Sequence, residues 1–176
     1  IRKSSGLKGI ITGGPQERSL RAGTENVCGI VGLGKALELS LKNMSDYASH
    51  IKEIKNYAIE KLAAEIEGVK FNGRSAEEGS LYTVLSVLLP FKDPMIGLKL
   101  DMNGIAISQG SACSSGASKP SMVMMMILDE EEMDNSTPLR ISFSHLTSKK
   151  DIDALIDALK IIASDSKIEK TNIEHR

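Results

Sequence analysis

The sequence predicts a small α/β layer, a short sheet packed with helices on at least one face. Three observations point there: apolar residues at helical spacing along 27–66, a run rich in β-branched residues at 82–89, and strict alternation at 139–144.

Taken in order, residues 1–23 are glycine-rich with one proline, Pro15, and read as loop and strand edge. Val27, Ile30, Val31, Gly34, Leu37 and Leu41 then follow helical spacing. After Asn43 the pattern resumes at Tyr47, Ile51, Ile54, Ala58, Leu62 and Ile66 and ends near Gly68, giving two helices or one long bent one. Val69–Asn72 suits a short strand leading into a polar loop, 73–80. Tyr82–Leu89 reads as a mostly buried strand stopped by Pro90. A short helix fits 94–102, with Asn103-Gly104 as its stop. Ile105–Ser108 is a further short strand, and Pro120 suits the first turn of a helix reaching Leu128.

The acidic run Asp129-Glu130-Glu131-Glu132, with Asp134, reads as a solvated loop. On the alternating strand, Leu139, Ile141 and Phe143 share one face, while Arg140, Ser142 and Ser144 share the other. The last helix begins after Thr147, a fitting N-cap, and buries Ile152, Leu155, Ile156, Leu159 and Ile162. Its first turn carries Lys149 and Lys150 against the helix dipole, and the polar tail after Ser164 is expected to fray.

The formal net charge is −1, so the basic excess that nucleic-acid or membrane-surface binding needs is missing. No run of about 18 apolar residues spans a bilayer. Two cysteines in 176 residues make no disulfide framework, and a reducing cytoplasmic setting is expected. His50, His145 and His175 show no metal-ligand spacing, so no metal site is expected. The first residues, Ile1-Arg2-Lys3-Ser4-Ser5, hold neither Met nor an apolar signal core, and the chain reads as starting mid-sequence.

Cys28 sits in an apolar helical stretch and reads as a buried, inert thiol. Cys113 lies at the middle of Ser108–Ser118, a segment of small polar residues expected to be mobile. Such a loop could swing a nucleophilic sulfur between two places; a linker that contains a cysteine remains equally open. A reactive thiol needs its thiolate stabilised, and no neighbour in sequence supplies positive charge. Arg140, held on a strand, presents a planar fork suited to a carboxylate, although a solvated surface arginine gives the same pattern. Gly13–Thr24 combines glycines with a hydroxyl just before a helix, a setting that favours phosphate. Taken alone, Thr24 reads as an N-cap. His145 reads as a surface histidine at a strand end.

Three segments together carry a resemblance. Gly13-Gly14-Pro15-Gln16-Glu17-Arg18-Ser19-Leu20-Arg21-Ala22-Gly23-Thr24-Glu25-Asn26-Val27 resembles the GGxQExxxRxGTxN segment of NifS-like cysteine desulfurases. Gly110-Ser111-Ala112-Cys113-Ser114-Ser115, with Pro120-Ser121 downstream, resembles their active-site cysteine loop in its long-loop form. Leu139–Ser144 resembles their substrate-arginine strand. The resemblance implies the small C-terminal domain of a pyridoxal-phosphate enzyme of the type I, aspartate-aminotransferase-like fold. It implies conversion of L-cysteine to L-alanine in a homodimer. By position, Cys113 would be nucleophile and persulfide carrier, Arg140 would clamp the substrate carboxylate, and Thr24 would touch the cofactor phosphate across a dimer interface. A sulfur-acceptor protein, such as an iron–sulfur scaffold, would take the persulfide.

The implied division is 1–25 as the end of the large cofactor-binding domain and 26–67 as the connecting helix or helix pair. The small domain would span 68–164, with a flexible tail at 165–176. The family's Schiff-base lysine precedes the first motif; no lysine here has a matching context, so the chain alone is expected to be inactive. Gln109 and Gly116 depart from the loop's serine pattern. Selenocysteine lyase, another enzyme of the same fold, or a non-catalytic dimerisation or binding module are the alternatives.

Overall fold

The computed structural model describes residue 6, residues 8–109 and residues 121–174, with 166–174 described by backbone alone. The chain divides into two compact units, Ile1–Met44 and Ser45–Arg176.

The first unit is irregular up to its helix. Gln16–Ser19 (α1) is a single turn in which Glu17, Arg18 and Ser19 hold φ of 48°, 57° and 64°, the left-handed region that non-glycine residues seldom enter. Ala22 is buried, and its N–H donates to the Ile11 carbonyl at 3.1 Å. A single helix of 39 residues, Val27–Glu65 (α2), then begins, which resolves the choice between one helix and two. Its cap is Asn26, not Thr24: the Asn26 Oδ1 accepts the Gly29 N–H at 3.1 Å. Thr24 lies two residues too far back to reach the third amide of a helix that starts at Val27. The expectation of a buried Cys28 is also corrected. Cys28 is exposed, and so are Val27, Ile30, Val31, Leu37 and Leu41, those five each more than half accessible. The helical period is present, but among the described residues of this unit nothing covers that face.

The second unit holds the core. Ile51, Ile54, Ala58 and Leu62 form a buried stripe on α2, at the three- and four-residue spacing of one helix face. Gly68, at φ 82°, lets the chain reverse after the helix into Lys70–Phe71 (β1). β1, Val84–Leu89 (β2) and Thr137–Ser142 (β3) form an antiparallel sheet in that order. Leu85, Val87, Leu89, Leu139, Ile141 and Phe143 face the core, where they meet α2, Ile96–Met102 (α3) and Lys149–Glu174 (α6). Gly104, at φ 74°, follows α3 as the Asn103-Gly104 stop predicts.

Four local readings change. Of the Ile105–Ser108 strand only Ser108 pairs, through an isolated antiparallel bridge to Arg140. The acidic run is not a loop. After Met122–Ile127 (α4), Asp129 caps Glu130–Asn135 (α5) by accepting the Glu132 N–H at 2.8 Å, and three glutamates in the first turn favour the helix dipole. A run of like charge is compatible with a helix when it sits at the N-terminus, which the composition of the run alone does not reveal. The cap of α6 is Ser148, one residue later than predicted: the Asp151 carboxylate accepts both its N–H at 2.8 Å and its hydroxyl at 2.9 Å. Thr147 instead accepts the Ser144 N–H at 3.0 Å. Helix α6 continues to Glu174, beyond Ser164.

Polar contacts join α2 to α6 across the core edge. Glu65 accepts from Lys61 at 2.8 Å and from Lys160, and the Tyr57 hydroxyl donates to Asp153 at 2.6 Å. Lys149, which opposes the α6 dipole, is offset by Glu53 at 2.6 Å. Lys55 is buried and donates to Ser80 Oγ and the Leu81 carbonyl, both at 2.9 Å; burial pushes its ammonium below the usual lysine range.

Candidate active site

The alternation along β3 places its side chains as predicted: Leu139, Ile141 and Phe143 are buried, while Arg140, Ser142 and Ser144 are exposed. In an antiparallel sheet, residues paired across strands point to the same face, so register decides what surrounds Arg140. Ser86 of β2 pairs with Arg140 on one side and Ser108 pairs with it on the other. Arg140 and Ser108 exchange backbone hydrogen bonds, Arg140 N–H to Ser108 O at 2.9 Å and Ser108 N–H to Arg140 O at 3.3 Å. Beyond Ser86, Asn72 donates its backbone N–H to the Ser86 carbonyl at 2.9 Å and its side-chain amide to Ser86 Oγ at 3.1 Å.

A polar row, Asn72–Ser86–Arg140–Ser108, therefore crosses the sheet on the face opposite the core. Arg140 is its only charged member, and one guanidinium nitrogen donates to Ser108 Oγ at 3.3 Å. That contact uses little of the donor fork; most of it faces outward, available to a planar anion. A cavity of about 410 Å³ opens farther along β3 against α6, lined by Ile105, Ile107, Phe143, Leu146 and Leu155 among others, and Arg140 lies outside that lining.

Thr24 belongs to the first unit and is exposed. Arg21 folds over its backbone, donating to the Gly23 carbonyl at 3.2 Å and the Thr24 carbonyl at 2.8 Å, which sets a guanidinium against the Thr24 backbone. Gln16 accepts the Gly23 N–H at 3.2 Å and closes the turn. Cys113 lies outside the described residues. Of the described candidates, Arg140 has the most developed surroundings. His145 is exposed, as read, and its ring stacks on Tyr47 with centroids 4.1 Å apart. Nearby, His50 Nε2 lies 2.8 Å from the Thr147 carbonyl, so that nitrogen carries the proton and donates.

Sequence reasoning missed Asn72, Ser86, Ser108 and Gln109 as neighbours of the site. Ser86 had a signal, since it is the one polar residue interrupting Val84–Leu89. The others depend on register, which no local pattern specifies.

With this geometry in hand, the aminotransferase class-V family model matches residues 9–155. The chain belongs to that family, and its α/β fold is that of NifS-like proteins. It is 34% identical over 163 residues to the cysteine desulfurase IscS of Dictyoglomus turgidum, covering 92% of this chain and 41% of that one. It is 38% identical over 165 residues to the cysteine desulfurase IscS of Clostridium botulinum strain Hall, with the same coverage. Among solved structures, a NifS-like protein from Rickettsia africae superposes with a TM-score of 0.69 at 30% identity, covering 89% of this chain and 40% of that one. A second NifS-like protein gives 0.70 at 27% identity, covering 93% and 41%. The chain spans about two fifths of the length of these relatives. Among the described residues, no helix is long and apolar enough to cross a membrane.

Proposed function

We propose that this chain is the C-terminal, nucleophile-bearing part of a cytoplasmic, homodimeric, pyridoxal-phosphate-dependent cysteine desulfurase. The observation that carries the reading is Arg140, an exposed guanidinium fixed at the centre of a polar row on a strand, in a chain of the class-V family. Its fork takes the carboxylate of L-cysteine in two parallel hydrogen bonds and sets the substrate's position.

Cys113 acts as thiolate on the substrate sulfur. A sulfur–sulfur bond forms, the substrate carbon–sulfur bond breaks, and its electron pair stays with carbon, which takes up a proton. The sum is L-cysteine plus enzyme thiol giving L-alanine plus enzyme persulfide, with atoms and electrons balanced. Thr24 and the Arg21 guanidinium on its backbone suit a phosphate dianion, and Thr24 would hold the cofactor phosphate across the dimer interface through its hydroxyl. When bound, the cofactor supplies the electron sink for carbon–sulfur cleavage. The Schiff-base lysine lies outside these 176 residues in this reading, so the chain alone has no turnover. The persulfide passes to an acceptor protein such as an iron–sulfur scaffold.

Kinetics of the full-length enzyme on L-cysteine test the assignment. Arg140→Ala should lower kcat/KM by about thirtyfold, on the order of 2 kcal/mol for a lost charge-assisted pair at an exposed site. Unchanged kcat and KM would refute the clamp.

A further inference from the structure

We infer that Gln109 is a positioning residue for Arg140, acting through Ser108. Alternation sends Ser108 toward Arg140 and Gln109 to the opposite side, against the segment that leads into α3. There the Gln109 Oε1 accepts the Gly97 N–H at 3.3 Å and its Nε2 donates to the Asp93 carbonyl at 3.4 Å. No side chain caps α3 from its own N-cap position, Met95, so the Gln109 oxygen meets one of the amides that helix leaves open. Gly97 leaves room for it: a Cβ at that position would lie 3.1 Å from Oε1.

The anchor itself is firm. Asp93 is buried, pairs with Lys99 at 2.7 Å, and donates its N–H to Thr137 Oγ1 at 2.8 Å; Thr137 in turn donates to the Phe91 carbonyl at 2.8 Å. Thr137 begins β3, the strand that carries Arg140. Hydrogen bonds thus run from the start of β3 through Asp93 to Gln109, the chain itself joins Gln109 to Ser108, and hydrogen bonds return from Ser108 to β3 at Arg140. Among the described residues, Ser108 joins the sheet by this one bridge and belongs to no named strand. Gln109 supplies that hold, so the hydroxyl that accepts from the Arg140 guanidinium stays in place.

The inference rests on Arg140 being the carboxylate clamp, and the test separates the two. In the full-length enzyme, Gln109→Met keeps side-chain length and removes both hydrogen bonds. We expect KM for L-cysteine and the inhibition constant of L-alanine to rise together by about three- to tenfold, the range of one or two neutral hydrogen bonds, with kcat within about twofold. Ser108→Ala, which deletes only the accepting hydroxyl, should move the same constants in the same direction. In an Arg140→Ala background, Gln109→Met should add nothing, since both act on one contact. An unchanged KM in Gln109→Met, or an equal increase in both backgrounds, would overturn the role of Gln109 while leaving the clamp standing. Arg140→Ala without effect on KM would overturn the clamp and this inference with it.

Discussion

Single residues decide where the helices start, and two of them were displaced by one or two positions from the sequence reading. Asn26, not Thr24, accepts the Gly29 amide at the start of α2, and Ser148, not Thr147, starts α6 by donating its N–H and hydroxyl to Asp151. All four residues are of types that cap well, and a sequence containing Thr-Glu-Asn or Thr-Ser offers a choice that only backbone geometry settles. Ser148→Ala should cost about 1 kcal/mol in the local opening of the first turn of α6, read by amide hydrogen exchange. Equal protection in the variant and the parent would deny Ser148 the cap. Arg140 was legible because alternation on a strand is a local property. Ser108 and Gln109 were not, because what places them is pairing with residues 32 and 12 positions away in the chain.

Between elements, the α2–α6 contact depends on charge as well as on the buried stripe. The Lys160 and Lys61 ammonium groups hold the Glu65 carboxyl down to about 2 from its ordinary value of 4.5. A carboxylate depressed on folding stabilises the folded state fully above its unfolded value, and that contribution fades as pH falls through the folded one. The protein should therefore lose thermal stability between about pH 5 and pH 2, and Glu65→Gln should flatten part of that slope. A variant whose Tm follows the same pH curve as the parent would contradict the assignment. The stripe itself, Ile51, Ile54, Ala58 and Leu62, was read correctly because helix period and core burial coincide there. The acidic segment was not, because charge composition says where solvent is welcome and not whether a backbone is helical.

At the scale of the whole molecule, the same helical period means two different things in one helix. Along Ile51–Leu62 it marks a face that the sheet and α6 cover; along Val27–Leu41 it marks a face left exposed. Periodicity reports that a face is apolar, and only the tertiary partners say whether it is buried, which is why Cys28 was misplaced. The sheet order and the position of Arg140 follow from 45–176, while Thr24 stands in the other unit. The site we propose is thus assembled from separate stretches of chain, and its central claim is that Cys113 takes the sulfur. The most direct measurement is mass spectrometry of the full-length enzyme after one turnover with L-cysteine, with L-alanine counted in parallel. We expect one sulfur added at Cys113 for each alanine released, and neither in Cys113→Ser, whose cofactor absorbance should stay intact. Alanine release by Cys113→Ser at the parent rate, or sulfur carried elsewhere, would contradict it.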